Sequence, residues 1–490
     1  MNFTSFHFLI FFFVTLGIGN LLKNTTKPLR IFLLLASYYF YGVFKPIYLI
    51  LILLSTCYDY IGALGIHYYR TKKTSNNFQK LLSRIPDKSW LYISLFLNLS
   101  LLGFFKYTNF GLEILNGTFL KDSFFTLSVL DILLPVGISF YTFQSLSYTI
   151  DVYRGILEPR KSFIDFALYV SFFPQLVAGP IVRATTFFPQ LDNPKPISFN
   201  DYKIGFTRII TGFFRKLVLA DNLAPLVNTV FANPQNYHPL DLWIASLAFG
   251  WQIYFDFAGY TDIARGIANF FGYEFEVNFD HPMAARNITE HWKRWHISLT
   301  TWLRDYLYIP LGGSKVSSFR VYINILIVWF FTGVWHGASY HFIAWGLWQY
   351  VMIVIHRIYN QSSLQTFLHT KIPFLWEILA RILLFFSLNF GFIWFRAPNM
   401  EIANFYIGRL FGLDNINSSL LLLKDTPPLT YSNYLVFLVL LWIYEFFMEK
   451  KSIESFIDRE NQLVFLLTFK IFLVLVFATP DTPNFLYFQF

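Results

Sequence analysis

Two histidines in apolar surroundings are the side chains of this sequence best placed to do chemistry. His296 lies in Asn287-Ile288-Thr289-Glu290-His291-Trp292-Lys293-Arg294-Trp295-His296-Ile297-Ser298-Leu299-Thr300-Thr301-Trp302-Leu303-Arg304-Asp305-Tyr306, and His336 lies in Gly333-Val334-Trp335-His336-Gly337. An imidazole is a base near neutrality, with an ordinary pKa of about 6.5, so the chemistry on offer is proton transfer. Each has a plainer reading. His296 can be a satisfied interior histidine of an interfacial helix. His336 can hydrogen-bond across a helix contact that Gly333 and Gly337 make close. Those glycines would equally let a substrate chain approach the imidazole.

The elements that must carry them are readable. Asn287 suits an N-cap and Glu290, three residues on, completes a capping-box pattern, so one helix is expected from there through Tyr306. At about 100° per residue, Trp292, Trp295, His296, Leu299, Trp302 and Leu303 share a face, while Arg294, Ser298, Thr301 and Asp305 share the other. His336 belongs to an apolar run with no charge from Val321 to Phe331. If its helix starts near Arg320, His336 is roughly 23 Å along it, past the middle of a hydrocarbon layer about 30 Å thick. A titratable side chain at such depth is costly and therefore points to function.

Composition sets the class. Of 490 residues, 55% are hydrophobic, 21% aromatic and only 14% charged, with a mean hydropathy of +0.46, which implies an all-α polytopic membrane protein. The single cysteine, Cys57, excludes an internal disulfide. No histidine pair has helical ligand spacing, so no metal site is expected. No Gly-x-x-x-x-Gly-Lys loop is present to hold ATP phosphates. The net charge of +9 sits beside apolar spans and reads as cytoplasmic-loop bias, not nucleic-acid binding; the cluster Arg70-Thr71-Lys72-Lys73 suits contact with membrane lipid.

Hydropathy gives roughly eleven or twelve membrane segments in one domain, 1–490, with amino-terminal spans in 1–128, a core holding both histidines in 129–360, and carboxy-terminal spans in 361–490. Spans are expected at Phe3–Leu22, Ile31–Phe44, Pro46–Ile66, Trp90–Leu112 and Val129–Ile150, the last kinked by Pro135 and Gly137. The basic loop after the third places the amino terminus outside the cell membrane. Pro174 and Pro180 interrupt Phe163–Val182, which reads either as a re-entrant or cavity-lining segment or as a simple proline-terminated helix end. Lys203–Asn222 reads as an interfacial amphipathic segment. Leu242–Phe271 carries Asp256, Asp262 and Arg265; these acids are expected to face the bundle interior and to be paired, with Arg265 as one near partner, lining of a donor channel being the other reading. Tyr340–Ile355, Leu375–Trp394, Asn433–Phe447 and Leu463–Phe477 complete the set, with a long linker from Arg396 to Tyr431.

The sequence resembles the membrane-bound O-acyltransferases, in the bacterial branch that O-acetylates alginate. The resemblance rests on Phe173–Arg183, Ala220-Asp221-Asn222-Leu223, Asp256–Ala264, the run from Ile288 to Gly313, Trp335-His336-Gly337 and the terminal Tyr487-Phe488-Gln489-Phe490. It implies a bundle of the type found in that family. His336 is then the catalytic residue and His296 the second essential histidine, with Trp295, Trp335, Gly333 and Gly337 supporting them. It also implies acetyl-CoA as a donor substrate entering from the cytoplasm, with no permanently bound cofactor. Lys203, Arg208, Lys293, Arg294, Arg304 and Asp305 are the expected donor neighbours, with interfacial lipid headgroups explaining Lys203, Arg208, Lys293 and Arg294 as well. A separate SGNH-type partner outside the bacterial inner membrane would pass the acetyl group to a polysaccharide. Alternatives are D-alanyl transfer to teichoic acid, peptidoglycan O-acetylation, or a polysaccharide transporter, which leaves the paired histidines unexplained.

Overall fold

A computed structural model describes residues 1–119, 127–412, 429–448, 457, 459–478 and 485–486. The described residues form helices and no β-strand. They divide into two compact units, Met1–Ile209 with Tyr260–Glu276, and Ile210–Gly259 with Val277–Phe490.

The first unit holds α1 (Phe6–Leu22), α2 (Thr26–Gly42), α3 (Tyr48–Thr71), α4 (Asp87–Thr118), α5 (Ile138–Tyr153) and α6 (Phe163–Ser171). Helices α3, α4 and α5 close around Asp59, a buried carboxylate that accepts from Ser94 Oγ, from Asn98 Nδ2 at 3.0 Å and from Thr149 Oγ1 at 3.3 Å. A carboxylate inside an apolar bundle persists only when donors surround it. The span expected from Val129 begins as a helix only at Ile138, after Gly137 in the left-handed region at φ +77°. A Cβ on Gly137 would lie 2.7 Å from the Leu176 carbonyl oxygen, so the chain needs glycine there. The proline-interrupted stretch is indeed broken: after α6 it makes one turn at Phe173–Leu176 and continues irregularly, buried throughout. Its polar backbone is met inside the protein, with Ser37 Oγ accepting from Phe173 N–H and Tyr169 O–H donating to the Val182 carbonyl, as buried broken backbone requires. Helix α7 (Phe199–Phe213) buries Arg208, which donates to Asn269 at 2.7 Å and Glu274 at 2.8 Å.

The second unit takes in α8 (Pro239–Phe270, up to Gly259), α9 (Ile288–Arg294), α10 (Ile297–Leu303), α11 (Ser318–His336), α12 (Tyr340–Tyr359), α13 (Pro373–Arg396), α14 (Met400–Leu410), α15 (Tyr434–Met448) and α16 (Glu460–Phe477). Asp256 is buried and paired, as expected of an acid here, and its partner comes from another segment. Its carboxylate lies 2.6 Å from Lys216 Nζ, which also lies 2.7 Å from Asp221, on a π-helical turn over Phe214–Ala220. Arg265 is a near partner of Asp262 at 3.8 Å, lies 3.6 Å from Glu274 and donates to the Phe275 carbonyl at 3.1 Å. A helix neighbour is closest in sequence, but a partner from another segment can reach a buried acid head-on. The late linker contains α14, capped by Asn399; residues 413–428 lie outside the described part, as do the terminal Tyr487–Phe490.

Among the described residues, five helices have the length and composition to cross a membrane, namely α3, α4, α11, α13 and α16, and α1 and α15 are shorter apolar helices. Hydropathy counts more segments because it reads short, broken or polar-bearing stretches as spans. The chain is an all-α multi-pass membrane protein.

Helices α11 and α12 form a hairpin joined by Gly337–Ser339. Where they meet, a Cβ on Gly333 would lie 2.5 Å from the Phe342 carbonyl oxygen, and one on Gly346 would lie 2.4 Å from that of Trp329. The backbones touch, so Gly346→Ala must push the helices apart, an overpacking cost of about 1–3 kcal/mol. Its expected readout is a lower melting temperature of the detergent-solubilised protein. An unchanged melting temperature would mean that the hairpin is not packed this closely.

Candidate active site

The segment with His296 is two helices, not one. Helix α9 starts as its sequence says, with Asn287 Oδ1 accepting from Glu290 N–H at 2.9 Å. Glu290 reaches back one residue further than a capping box requires, accepting from Arg286 N–H at 3.0 Å, and it pairs with Arg294 at 2.7 Å. At Trp295 the backbone becomes extended, and His296 takes the left-handed conformation at φ +43°. That conformation costs a non-glycine residue about 1–2 kcal/mol, and such strain persists where surrounding structure fixes it, often at functional sites.

The fixing group is Asn278. Its carbonyl accepts from Ile297 N–H at 2.9 Å, and its side-chain oxygen accepts from Ser298 N–H at 3.1 Å and Ser298 O–H at 2.9 Å. A backbone N–H can only donate, so the atom facing it is the amide oxygen. The same oxygen lies 3.3 Å from His296 Nδ1, which must carry its proton there to bond. Asn278 thus caps α10 from outside and sets the tautomer of His296. Ser298, assigned by periodicity to the wet face, is buried for this reason. Burial pushes the His296 imidazole down to about 3, so it is neutral at physiological pH.

His336 is the last residue of α11 and is buried. Its ring centre is 4.9 Å from that of Trp335, which in turn lies 6.3 Å from His296, so one indole touches both imidazoles. Both histidines line one cavity of about 480 Å³, walled by Trp292, Trp295, Leu299, Val328, Trp329 and Thr332. Along α11 the wall runs from Ile325 to His336, ~16 Å at 1.5 Å per residue. Its far end is polar: Arg304 comes from the turn after α10, and His356, Arg357, Asn360 and Gln361 come from the end of α12.

Of the residues named from sequence, the structure brings His296, His336, Trp295 and Arg304 to this cavity. Arg304 also pairs with Asp305 at 2.7 Å. Trp335 lies against both histidines, Gly333 is in the hairpin contact, and a Cβ on Gly337 would meet the Phe342 ring. Lys293 is exposed and Arg294 is held by Glu290; neither lines the cavity. Arg208 lies in the other unit, bonded to Asn269 and Glu274, as does Lys203. Asn278, His356 and Arg357 were not singled out from sequence. Arg357 follows an apolar run as basic residues at helix ends commonly do, and only the fold turns it toward the cavity. Among the described residues, no three His, Cys, Asp or Glu side chains gather as a metal would need.

Comparison with known proteins gives the family. Residues 157–395, which include both histidines, match the model of the membrane-bound O-acyltransferase family. A probable alginate O-acetylase of Pseudomonas aeruginosa is 38% identical over 399 residues, covering 80% of this chain and 72% of that protein. The peptidoglycan O-acetyltransferase of Helicobacter pylori is 36% identical over 421 residues, covering 81% and 76%. The teichoic acid D-alanyltransferase of Bacillus subtilis is 28% identical over 282 residues, covering 54% and 68%. A multi-pass helical chain with two imidazoles in one cavity, matched at this identity over this length, belongs to the membrane-bound O-acyltransferase family and is an O-acyltransferase.

Proposed function

We propose that this chain moves an acetyl group from acetyl-CoA to a hydroxyl, for O-acetylation of a polysaccharide outside the cell. The observation that carries the proposal is that His296 and His336 line a single elongated cavity whose far end holds two guanidinium groups. A long, thin donor arm suits a passage ~16 Å deep, and Arg304 and Arg357 suit the phosphates at its outer end. His336 is the general base: its neutral imidazole takes the proton of the acceptor hydroxyl as that oxygen attacks the thioester carbonyl. The carbon–sulfur bond then breaks, and the leaving thiolate takes the proton back from His336. His296, neutral and fixed by Asn278, orients the donor carbonyl or its oxyanion.

The donor enters from the cytoplasm across a bacterial inner membrane, with the amino terminus outside, and an SGNH-type partner passes the acetyl group on to the glycan. Acetyl transfer is favoured over D-alanyl transfer because the acetyltransferase relatives match at higher identity and over more of the chain.

Replacing Arg357 by alanine tests the donor assignment. One hydrogen bond to a charged group is worth about 1.5–3 kcal/mol, so KM for acetyl-CoA should rise about tenfold or more with kcat nearly unchanged. An unchanged KM, with Arg304→Ala equally silent, would remove the phosphates from this end of the cavity.

A further inference from the structure

The His336 imidazole sits among three aromatic rings that stand nearly perpendicular to it. Trp335 is 4.9 Å away at 79°, Trp345 is 4.8 Å away at 86°, and Phe395 is 5.1 Å away at 72°, measured between ring centres and ring planes. They come from three helices, α11, α12 and α13, and all are buried. The cage braces itself: Trp345 and Phe395 lie 5.2 Å apart at 71°, and Phe342 closes on Phe395 at 5.2 Å and 88°. The adjoining turn is fastened by His341, whose Nδ1 lies 2.8 Å from the Trp394 carbonyl and must donate to it. Gly337 leaves the space that the Phe342 ring occupies.

Edge-to-face packing of this kind is directional. Rings within about 4.5–7 Å are attracted when the positive edge of one meets the negative face of another. Three such neighbours leave the imidazole one plane to occupy.

Resting on the reading of His336 as the general base, we propose that Trp345 and Phe395 are its positioning residues. They hold the ring in the plane that meets the acceptor hydroxyl, ready to take its proton. Trp335 shares this cage but also touches His296, so it does not separate the two histidines.

The test is steady-state kinetics of CoA release from acetyl-CoA by native membranes holding the full chain. Trp345→Leu and Phe395→Leu, which remove an aromatic ring, should each lower kcat about tenfold or more, with KM for acetyl-CoA within about twofold. Trp345→Phe and Phe395→Tyr, which keep one, should hold kcat within about threefold of the parent. Equal kcat for the leucine and aromatic variants at both positions would overturn the proposal. So would losses that fall on KM. If one leucine variant does not fold, the pair at the other position decides alone. Undiminished release in His336→Ala would instead overturn the base itself. Loss in His336→Ala with normal kcat in both leucine variants sinks only the cage.

Discussion

Changing Lys216 to methionine is expected to lower the stability of the full chain by about 3–5 kcal/mol, the usual cost of stripping one partner from a buried ion pair. Lys216, Asp221 and Asp256 are each almost completely buried, and the single ammonium lies within 2.7 Å of both carboxylates. Without it two acids face each other away from water. The cost is specific to the orphaned charges and not to the loss of lysine. The triple variant Lys216→Met, Asp221→Asn, Asp256→Asn should therefore recover most of the lost stability, because removing a whole buried ionic group is often neutral. Thermal unfolding in detergent, followed by tryptophan fluorescence, reads both. A Lys216→Met protein as stable as its parent would mean that the three groups are not packed together.

Replacing His296 by asparagine is expected to leave the fold intact and to reduce acyl transfer by about a hundredfold or more, the contribution of a well-placed acid, base or oxyanion donor. Asparagine enters the left-handed region more readily than most residues, so φ +43° is no obstacle to it. The same change alters the response to acid. Folded His296 titrates near 3 and an unfolded histidine near 6.5, so below about 6.5 the unfolded chain takes up the proton first. The parent should then lose stability relative to His296→Asn as pH falls from about 6.5, and not above it. Full transfer activity in the asparagine variant would make His296 a packing residue.

What could be read from sequence was local. Asn287 caps α9 because its partner is three residues away, and the aromatic face holds because helical periodicity survives on either side of the break. The break itself was not legible. Trp295 and His296 leave the helix because Asn278, far back in the chain, supplies the cap that α10 lacks. The same limit applies to Asp256, whose partner Lys216 is set by packing, and to Arg357, which reaches the cavity only because α12 folds back along α11. Gly333 was legible as a small-residue contact, but its counterpart Gly346 was not, since neither sits at a position that sequence spacing alone would pair.

The most direct test supplies labelled acetyl-CoA to membranes and follows label into extracellular glycan, with His336→Ala and the parent at equal abundance and equal melting temperature. General-base removal predicts a loss of at least about a hundredfold. Label arriving at the parental rate in the His336→Ala membranes would contradict the account.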